Sequence, residues 1–381
     1  MQEMTNSPAL STQNDYNLCH AESADAHRQK DRVLFVTTIE FRSPFNGGTV
    51  YSKGIYEALC ANHEVDVVVL SNERFFKNDK IHKIVTFLKG VISSTPVNVI
   101  YHSGCSRVLQ QDLSIYRHVF VDHLEAVLWV QKQKAKYILI AHNIEYKLAN
   151  DKLRNPVLRQ VFDLQKRLER YERNSFAQAA GVICISATEK DVIAQVNPRV
   201  SQLRPAFSET NIRYSHSEIP RFGFIGPASW LPNYRTVQSL IKDVFTRVRP
   251  PFQFVLAGSG WEAASLDFPA QTKHLGFVKD INEFWSNIDL LVAPIQQGAG
   301  VNIKICEALH HGVNVVSNSE SIAAIFGNAP APSNLWVADN PTEIAEVLND
   351  IDMPFVRNPC DDFSQAALRL QLNQFLDDLD G

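Results

Sequence analysis

The chain alternates between short, wholly apolar runs and longer stretches in which apolar residues recur every three or four positions. Arg32 to Ile39 (RVLFVTTI) is the first such run, β-branched and without polar alternation, the pattern of a strand buried on both faces of a parallel sheet. A turn-rich segment, FRSPFNGG, follows; then comes TVYSKGIYEALCANH with helical spacing, then a strand at Glu64 to Leu70. Strand, helix, strand predicts parallel α/β architecture. VNVIYH, HVFVDH, KYILIAHN and AGVICIS read as further strands, each ending in a polar residue. The charged stretch Leu148 to Phe176 reads as an amphipathic helix through Leu164, Leu168 and Tyr171.

The alternation breaks near Pro205, where PAFSETNIRYSHSEIP carries proline at both ends and has no period. A second series then begins. RFGFIG, FQFVLAGSG, HLGFV, DLLVAP and NVVS read as strands, with NYRTVQSLIKDVFTRV, DINEFWSN and IKICEALHHG as helices between them. The expectation is an α/β protein of two tandem Rossmann-like, doubly wound parallel-sheet domains with a cleft between them. They span 31–205 and 221–360, joined by a linker at 206–220 and preceded by a flexible tail at 1–30. The last segment, 361–381, is expected to cross back to the first domain as a helix, with Ala366, Leu370 and Leu372 facing it. Ligands in such sheets bind at the carboxyl ends of strands, so residues there carry the most weight.

Composition narrows the class. With 45% apolar and 20% charged residues in 381, the chain has ample material for two cores and is not a disordered protein. No apolar run approaches ~18–20 residues, so no transmembrane helix is expected, and the polar start argues against a secretory signal. The six cysteines are scattered, without C-x-x-C or zinc spacing, and read as reduced thiols of a cytoplasmic protein. The net charge of −4 hides an asymmetry: residues 31–205 hold 24 Lys+Arg against 17 Asp+Glu, and 206–381 hold 11 against 20. The first half is thus suited to something anionic, but the excess is modest and dispersed, and no nucleic-acid motif accompanies it. Arg74, Lys77, Lys80, Lys83 and Lys89 interleave with Phe75, Phe76, Ile81, Ile84, Val85, Phe87 and Leu88. That pattern suits docking at an anionic membrane surface, or a surface helix packing on its own domain, and the second reading is preferred.

The richest chemistry lies in Asp289 to Ser317, DLLVAPIQQGAGVNIKICEALHHGVNVVS. A strand ends near Pro294, a loop with Gly298 and Gly300 follows, and a helix opens near Asn302. Free amides and the helix dipole at such a point favour an anion, Lys304 adds a cation in the first turn, and Glu307 offers an acceptor to sugar hydroxyls. On spacing alone, plain turn glycines and a surface glutamate are equally good readings.

This segment closely resembles the signature of retaining glycosyltransferases of the GT-B fold, especially glycosyltransferase family 4. There a P-x-x-x-G-x-G loop precedes K-x-x-E-A and then G-x-x-V-V. RFGFIGPASWLPNYRTVQSL, VLAGSG and HLGFVKDINEFWSNIDLLVAP are similar to the preceding units of that family's C-terminal domain. NGGTVYSKGIYEAL and AHNIEYKLA resemble, more weakly, its N-terminal glycine loop and His-bearing strand end.

The resemblance implies roles. Glu307 matches the second Glu of the family's E-x7-E pattern, which binds the nucleotide ribose. The first, which binds the transferred sugar, is Ala299 here. Gly298, Gly300 and Val301 belong to the loop, Asn302 and Ile303 fall where amides hold the diphosphate, and Gly226 ends the opening strand of the donor domain. The family's usual cations after that strand are absent, so Lys304 is the substitute, with Arg235 second. Phe277 and Val278 match the region that packs on the nucleobase. Gly47 and Gly48 match the loop approaching the donor phosphate, and His142 matches a histidine near the transferred sugar, giving His142 and Lys304 as the catalytic candidates. Asp122, His123 and Asn143 are candidates for acceptor contact, while Glu145 suits a helix cap as well as a substrate.

The implied function is transfer of a sugar from a nucleotide diphosphate sugar to a hydroxyl of a glycan or lipid-linked acceptor. Retention is implied, as are bacterial surface polysaccharide synthesis and a cytoplasmic place with peripheral contact at the inner membrane face. A UDP-sugar is favoured over a GDP-sugar as donor. No D-x-D motif is present at a strand end, so neither metal nor cofactor is expected. The alternatives are a nucleotide-sugar-binding protein without transferase activity, motivated by Ala299, and an epimerase on the same fold.

Overall fold

A computed structural model describes residues 31–40, 47–70, 95–96, 99–100, 112–152, 164–209, 212, 214, 217–295, 300–351 and 355–381. The expected tail at 1–30 and the basic and apolar segment at 74–89 lie outside the described residues.

The apolar runs form two six-stranded sheets in which every pairing is parallel. The first contains β1 (Arg32–Thr37), β2 (Glu64–Val69), β3 (His118–Asp122), β4 (Ile138–Ala141), β5 (Gly181–Cys184) and β6 (Val200–Gln202), in the order β2-β1-β3-β4-β5-β6. The second contains β7 (Arg221–Ile225), β8 (Gln253–Ala257), β9 (Thr272–Gly276), β10 (Leu290–Val292), β11 (Asn314–Ser317) and β12 (Leu335–Val337), in the order β12-β11-β10-β7-β8-β9. Both orders reverse direction once, between β1 and β3 and between β7 and β10. A crevice opens at such a switch point outside the carboxyl ends of the strands. β1, β4, β5, β10 and β11 are buried almost throughout, which is why their sequences show no alternation.

Helices cover both faces of each sheet. In chain order they are α1 (Gly47–Asn62), α2 (Val127–Lys132), α3 (Glu145–Lys152), α4 (Leu164–Gln178), α5 (Ala187–Ala194), α6 (Leu231–Ser239), α7 (Ile281–Ser286), α8 (Ile303–His310), α9 (Ser319–Phe326), α10 (Pro341–Asp350) and α11 (Gln365–Asp380). Among the described residues, no helix is long and apolar enough to cross a membrane.

Three local expectations are corrected. Of VNVIYH, read as a strand, the described Val99 and Ile100 are helical, and the Ile100 amide donates to the Pro96 carbonyl, so Pro96 opens a helical turn where its missing N–H costs nothing. Cys60 is disulfide-bonded, whereas Cys184, Cys306 and Cys360 are free. In α11, Ala366 is exposed and Leu370 is 71% exposed. Leu372 faces the first domain as expected, but its companions are Leu368, Phe375 and Leu376, an i, i+4, i+7, i+8 stripe that packs with Tyr51, Ile55 and Leu59 of α1 in the core of the first domain.

The last helix therefore completes the core of the first domain. The chain passes between the domains at two adjacent places. Phe207 pairs with Ser364 in a parallel bridge, and its amide donates to the Phe363 carbonyl at 2.9 Å. Nearby, Gln202 Nε2 donates to the Ile325 carbonyl at 2.8 Å, and Arg204 stacks over Phe326.

Candidate active site

The first half-site is built at the carboxyl ends of β1, β3 and β4. β3 ends on Asp122, which is fully buried among the tips of its neighbours. A buried carboxylate must be paired and hydrogen-bonded, and Asp122 is. Thr37 Oγ1 at the end of β1 donates to Oδ2 at 2.7 Å, and Ser52 Oγ from α1 donates to the same oxygen at 2.9 Å. His142, just past β4, places Nε2 2.7 Å from Oδ1. His123 Nδ1 lies 3.1 Å from Oδ2 as an ion pair.

The two imidazoles stack at 3.8 Å between centroids, and Tyr51 meets His142 edge-on. Burial opposes the charge on His123, but the adjacent Asp122 carboxylate outweighs it and raises that pKa to about 9. Burial and the charged neighbour His123 together lower His142. Burial acts to raise Asp122, yet the two histidines hold it well below the usual carboxylate range. His123 is therefore a cation and His142 a neutral ring whose Nε2–H donates to Asp122. His123 also adopts φ 76°, rare for a residue with a side chain, so its backbone is held there against strain. Asp122, His123 and His142 offer three ligand atoms within 4.8 Å of one another. Oδ2 of Asp122, however, is already engaged by two hydroxyls, and the set acts as a hydrogen-bonded unit.

The turn that carries His142 is fixed from behind. Glu189 Oε1 accepts the Ile144 amide at 2.8 Å, and the two oxygens of Glu172 accept the Glu145 and Tyr146 amides at 2.8 and 3.0 Å. These are the free amides opening α3, so Glu172 and Glu189 cap it, not Glu145. Burial pushes Glu172 up to about 8 and raises Glu189 as well.

The second half-site lies at the carboxyl ends of β7 and β10. Asn302 precedes α8 but makes no side-chain cap, and among the described residues its buried Nδ2 has no acceptor. Lys304, in the first turn, sets its Nζ 3.1 Å from Asn233 Oδ1 and 4.2 Å from the centre of the Phe224 ring. Desolvation alone lowers its pKa to about 7. Glu307, one turn on, is pushed up to about 7 by burial. Gly226, after β7, has φ 148°, and a Cβ there would lie 2.4 Å from Asn233 Nδ2. Phe277 is 71% exposed, while Val278 packs partly into the second core. Arg235 is exposed, two residues beyond Asn233 and so on the opposite side of α6. Gly298 and Ala299 lie outside the described residues.

The two halves touch. A Cβ on Gly47 would lie 2.9 Å from Ile303 Cγ1, and Gly48 stands beside it in the first turn of α1. Gly300, at φ 96°, lies against Asn143: a Cβ there would come within 2.2 Å of Asn143 Oδ1. Val301 and Ile303 contact the cores of both domains. The structure thus brings Gly47, Asn143, Gly300, Val301 and Ile303 together where the domains meet.

Residues 219–351 match the sequence model of the family described as Glycosyl transferases group 1. That match spans nearly all of the second domain and about a third of the chain. No curated protein matches the chain. Solved structures similar to it include sucrose-phosphate synthase from Thermosynechococcus elongatus (12% identity, 92% of this chain and 99% of that one, TM-score 0.59). HepE of Anabaena in complex with UDP is another (14% identity, 91% and 100%, TM-score 0.59). A third is α,α-trehalose 6-phosphate synthase from Burkholderia multivorans (10% identity, 92% and 96%, TM-score 0.53). At these identities the likeness speaks to the fold, which is GT-B, and with the family match the chain is a transferase enzyme.

Several residues of this candidate site are invisible to motif reading. Thr37, Ser52, Glu172, Glu189 and Asn233 each act on a partner far away in sequence. The one available signal was polarity at a strand end or on an inward helix face, which Thr37 and Ser52 carry.

Proposed function

We propose that the chain transfers a sugar from a UDP-sugar to a hydroxyl of a glycan or lipid-linked acceptor, with retention, in the making of a bacterial surface polysaccharide. The observation that carries the donor half is Lys304: a cation held beside the Gly300 loop with, among the described residues, no carboxylate in ion-pair distance. A diphosphate supplies the missing anion. HepE, which shares the fold, is seen in complexes with UDP and with UDP-glucose, which supports uracil as the base.

In this reading Phe277 flanks the base, Glu307 accepts from the ribose hydroxyls, and Lys304 with the opening amides of α8 takes the diphosphate. The bond from the anomeric carbon to the diphosphate oxygen breaks as negative charge grows on the leaving group, which Lys304 stabilises in a partly desolvated cleft. The acceptor hydroxyl attacks from the same face and its proton passes to the departing phosphate oxygen. His142, fixed by Asp122, lines the sugar side as a neutral ring, and His123 adds positive charge nearby.

Thermal shift of the purified protein with UDP, GDP, ADP and dTDP tests the donor, since a ligand of the native state raises its stability by mass action. A shift with UDP above the others is expected, followed by slow hydrolysis of UDP-sugars, and no shift with any nucleotide would refute the reading. Ala299, in place of the glutamate that would hold the sugar, favours one second reading: a nucleotide-sugar-binding protein without transfer. UDP binding with neither hydrolysis nor transfer would establish that instead.

A further inference from the structure

Lys304 is held by an unusual partner. In the described structure the ammonium meets a neutral amide and an aromatic face, not a carboxylate. We propose that Asn233 is a positioning residue which aims Lys304 at the anion site without supplying a counter-charge, so that the ammonium is left to pair with a diphosphate. This deepens the donor reading above and rests on it for the identity of the anion.

The geometry is built rather than incidental. Asn233 is 4% exposed, in the first turn of α6. Its Nδ2 donates to the Pro227 carbonyl at 3.1 Å, which leaves Oδ1 facing Lys304, the only arrangement a pure donor such as an ammonium accepts. The space for that amide exists because residue 226 has no Cβ. The turn at Gly226 is clamped in its own right: Trp261 Nε1 donates to the Gly226 carbonyl at 2.8 Å, and a Cβ on Gly258 would lie 2.1 Å from that carbonyl oxygen. Phe224 stands below the ammonium and supplies attraction through its ring quadrupole, again without formal charge.

A carboxylate at 233 has the same shape and would form an ion pair with Lys304. The pair would satisfy the lysine internally, and an incoming diphosphate would have to displace it and meet a like charge. The choice of amide over acid at this one position therefore separates an anion receptor from a closed salt bridge.

The test is calorimetric binding of uridine, UDP and inorganic pyrophosphate to wild type, Asn233→Asp, Asn233→Ala, Lys304→Met and the Asn233→Asp/Lys304→Met double variant. Asn233→Asp is expected to weaken UDP and pyrophosphate by about 30-fold or more and Asn233→Ala by about tenfold, as for charge pairs at buried sites. Uridine should change by less than about twofold, because the nucleoside lacks the anion. In the Lys304→Met background, Asn233→Asp should add little.

Equal losses for uridine and UDP, unchanged pyrophosphate binding in both Asn233 variants, or a full further loss in the double variant would each overturn the assignment. If Asn233→Asp does not fold, the Asn233→Ala comparison of uridine with UDP decides. Wild type that binds pyrophosphate but no nucleotide, with the loss in Asn233→Asp intact, refutes the UDP reading and supports this one. Wild type that binds neither overturns both.

Discussion

The two halves of the site treat buried charge in opposite ways. Around Asp122 every charge is answered from within: two hydroxyls and two histidines surround one carboxylate, and the protein itself sets His123 charged and His142 neutral. Around Lys304 the protein withholds the answer. Burial pushes both Lys304 and Glu307 toward neutrality, and among the described residues the Asn302 side-chain amide has no acceptor. A saturated network is preorganised and rigid, whereas an unsatisfied one stores attraction for a ligand. The first half is thus saturated from within, and the second, on the proposed reading, is completed by a charged substrate.

Breaking the saturated half should have the largest effect. Asp122→Asn leaves the His123 cation buried without its counter-charge, and a loss of about 3–5 kcal/mol in urea unfolding is expected, with transfer abolished. A loss below about 1 kcal/mol would show that the network is not the structural unit described. The unsatisfied half should behave in reverse. Lys304→Met should lower turnover about 100-fold or more, through charge stabilisation lost in the transition state, while leaving unfolding stability equal or higher. Coupled losses of stability and turnover would erase the contrast.

Glu172→Gln probes the support of His142. One amide of the α3 opening loses its acceptor, and a cost of about 1–3 kcal/mol is expected, with kcat falling more than KM rises. The folded pKa of Glu172, about 8, stands above its ordinary 4.5, so its contribution is complete below pH 4.5 and is lost as pH rises through 8. The variant should lose that part of the decline of stability between those values, and an unaltered pH profile would remove Glu172 from the account.

The last effect sharpens the comparison by pH. Between pH 7 and about 8 the first half keeps its charges, with His123 raised to about 9 and His142 lowered. The second half does not. Above pH 7 free Lys304 is neutral and must gain a proton to meet a diphosphate, so UDP affinity should fall by up to about tenfold per pH unit. In the proposed donor reading Glu307, which ionises over the same range, should then hold the ribose more tightly and offset part of that fall. Glu307→Gln should expose the full falling limb, and Lys304→Met should leave only a rising one. Titrations that match wild type in both variants would place the pH dependence elsewhere.

The strands were legible because both sheets are buried on two faces, so RVLFVT and QFVLA are apolar without interruption. β6 and β12 were not, since three-residue edge strands such as Val200–Gln202 and Leu335–Val337 are only partly buried. The stripe of α11 was only partly placed: Leu372 faces α1, but the sequence offers Leu370 equally, and only the surface of α1 decides against it. In the site, Gly300, Asn302, Lys304 and Glu307 were readable because one loop and one helix turn place them together. Asp122 and His142 were readable as strand ends. Glu172, Glu189 and Asn233 were not, because their partners are backbone amides and a lysine 26 to 71 residues away.

The docking of α11 on α1 bears on how the protein is made. Ribosomes deliver the chain from the N-terminus, so β1 to β6 emerge with one helix of their cover still unsynthesised. Tyr51, Ile55 and Leu59 stay open to water, and to chaperones, while the whole second domain is translated and folds. Only when Leu368 to Leu376 clear the exit tunnel can the first domain close its core, which makes the earlier half of the sequence the later half to mature.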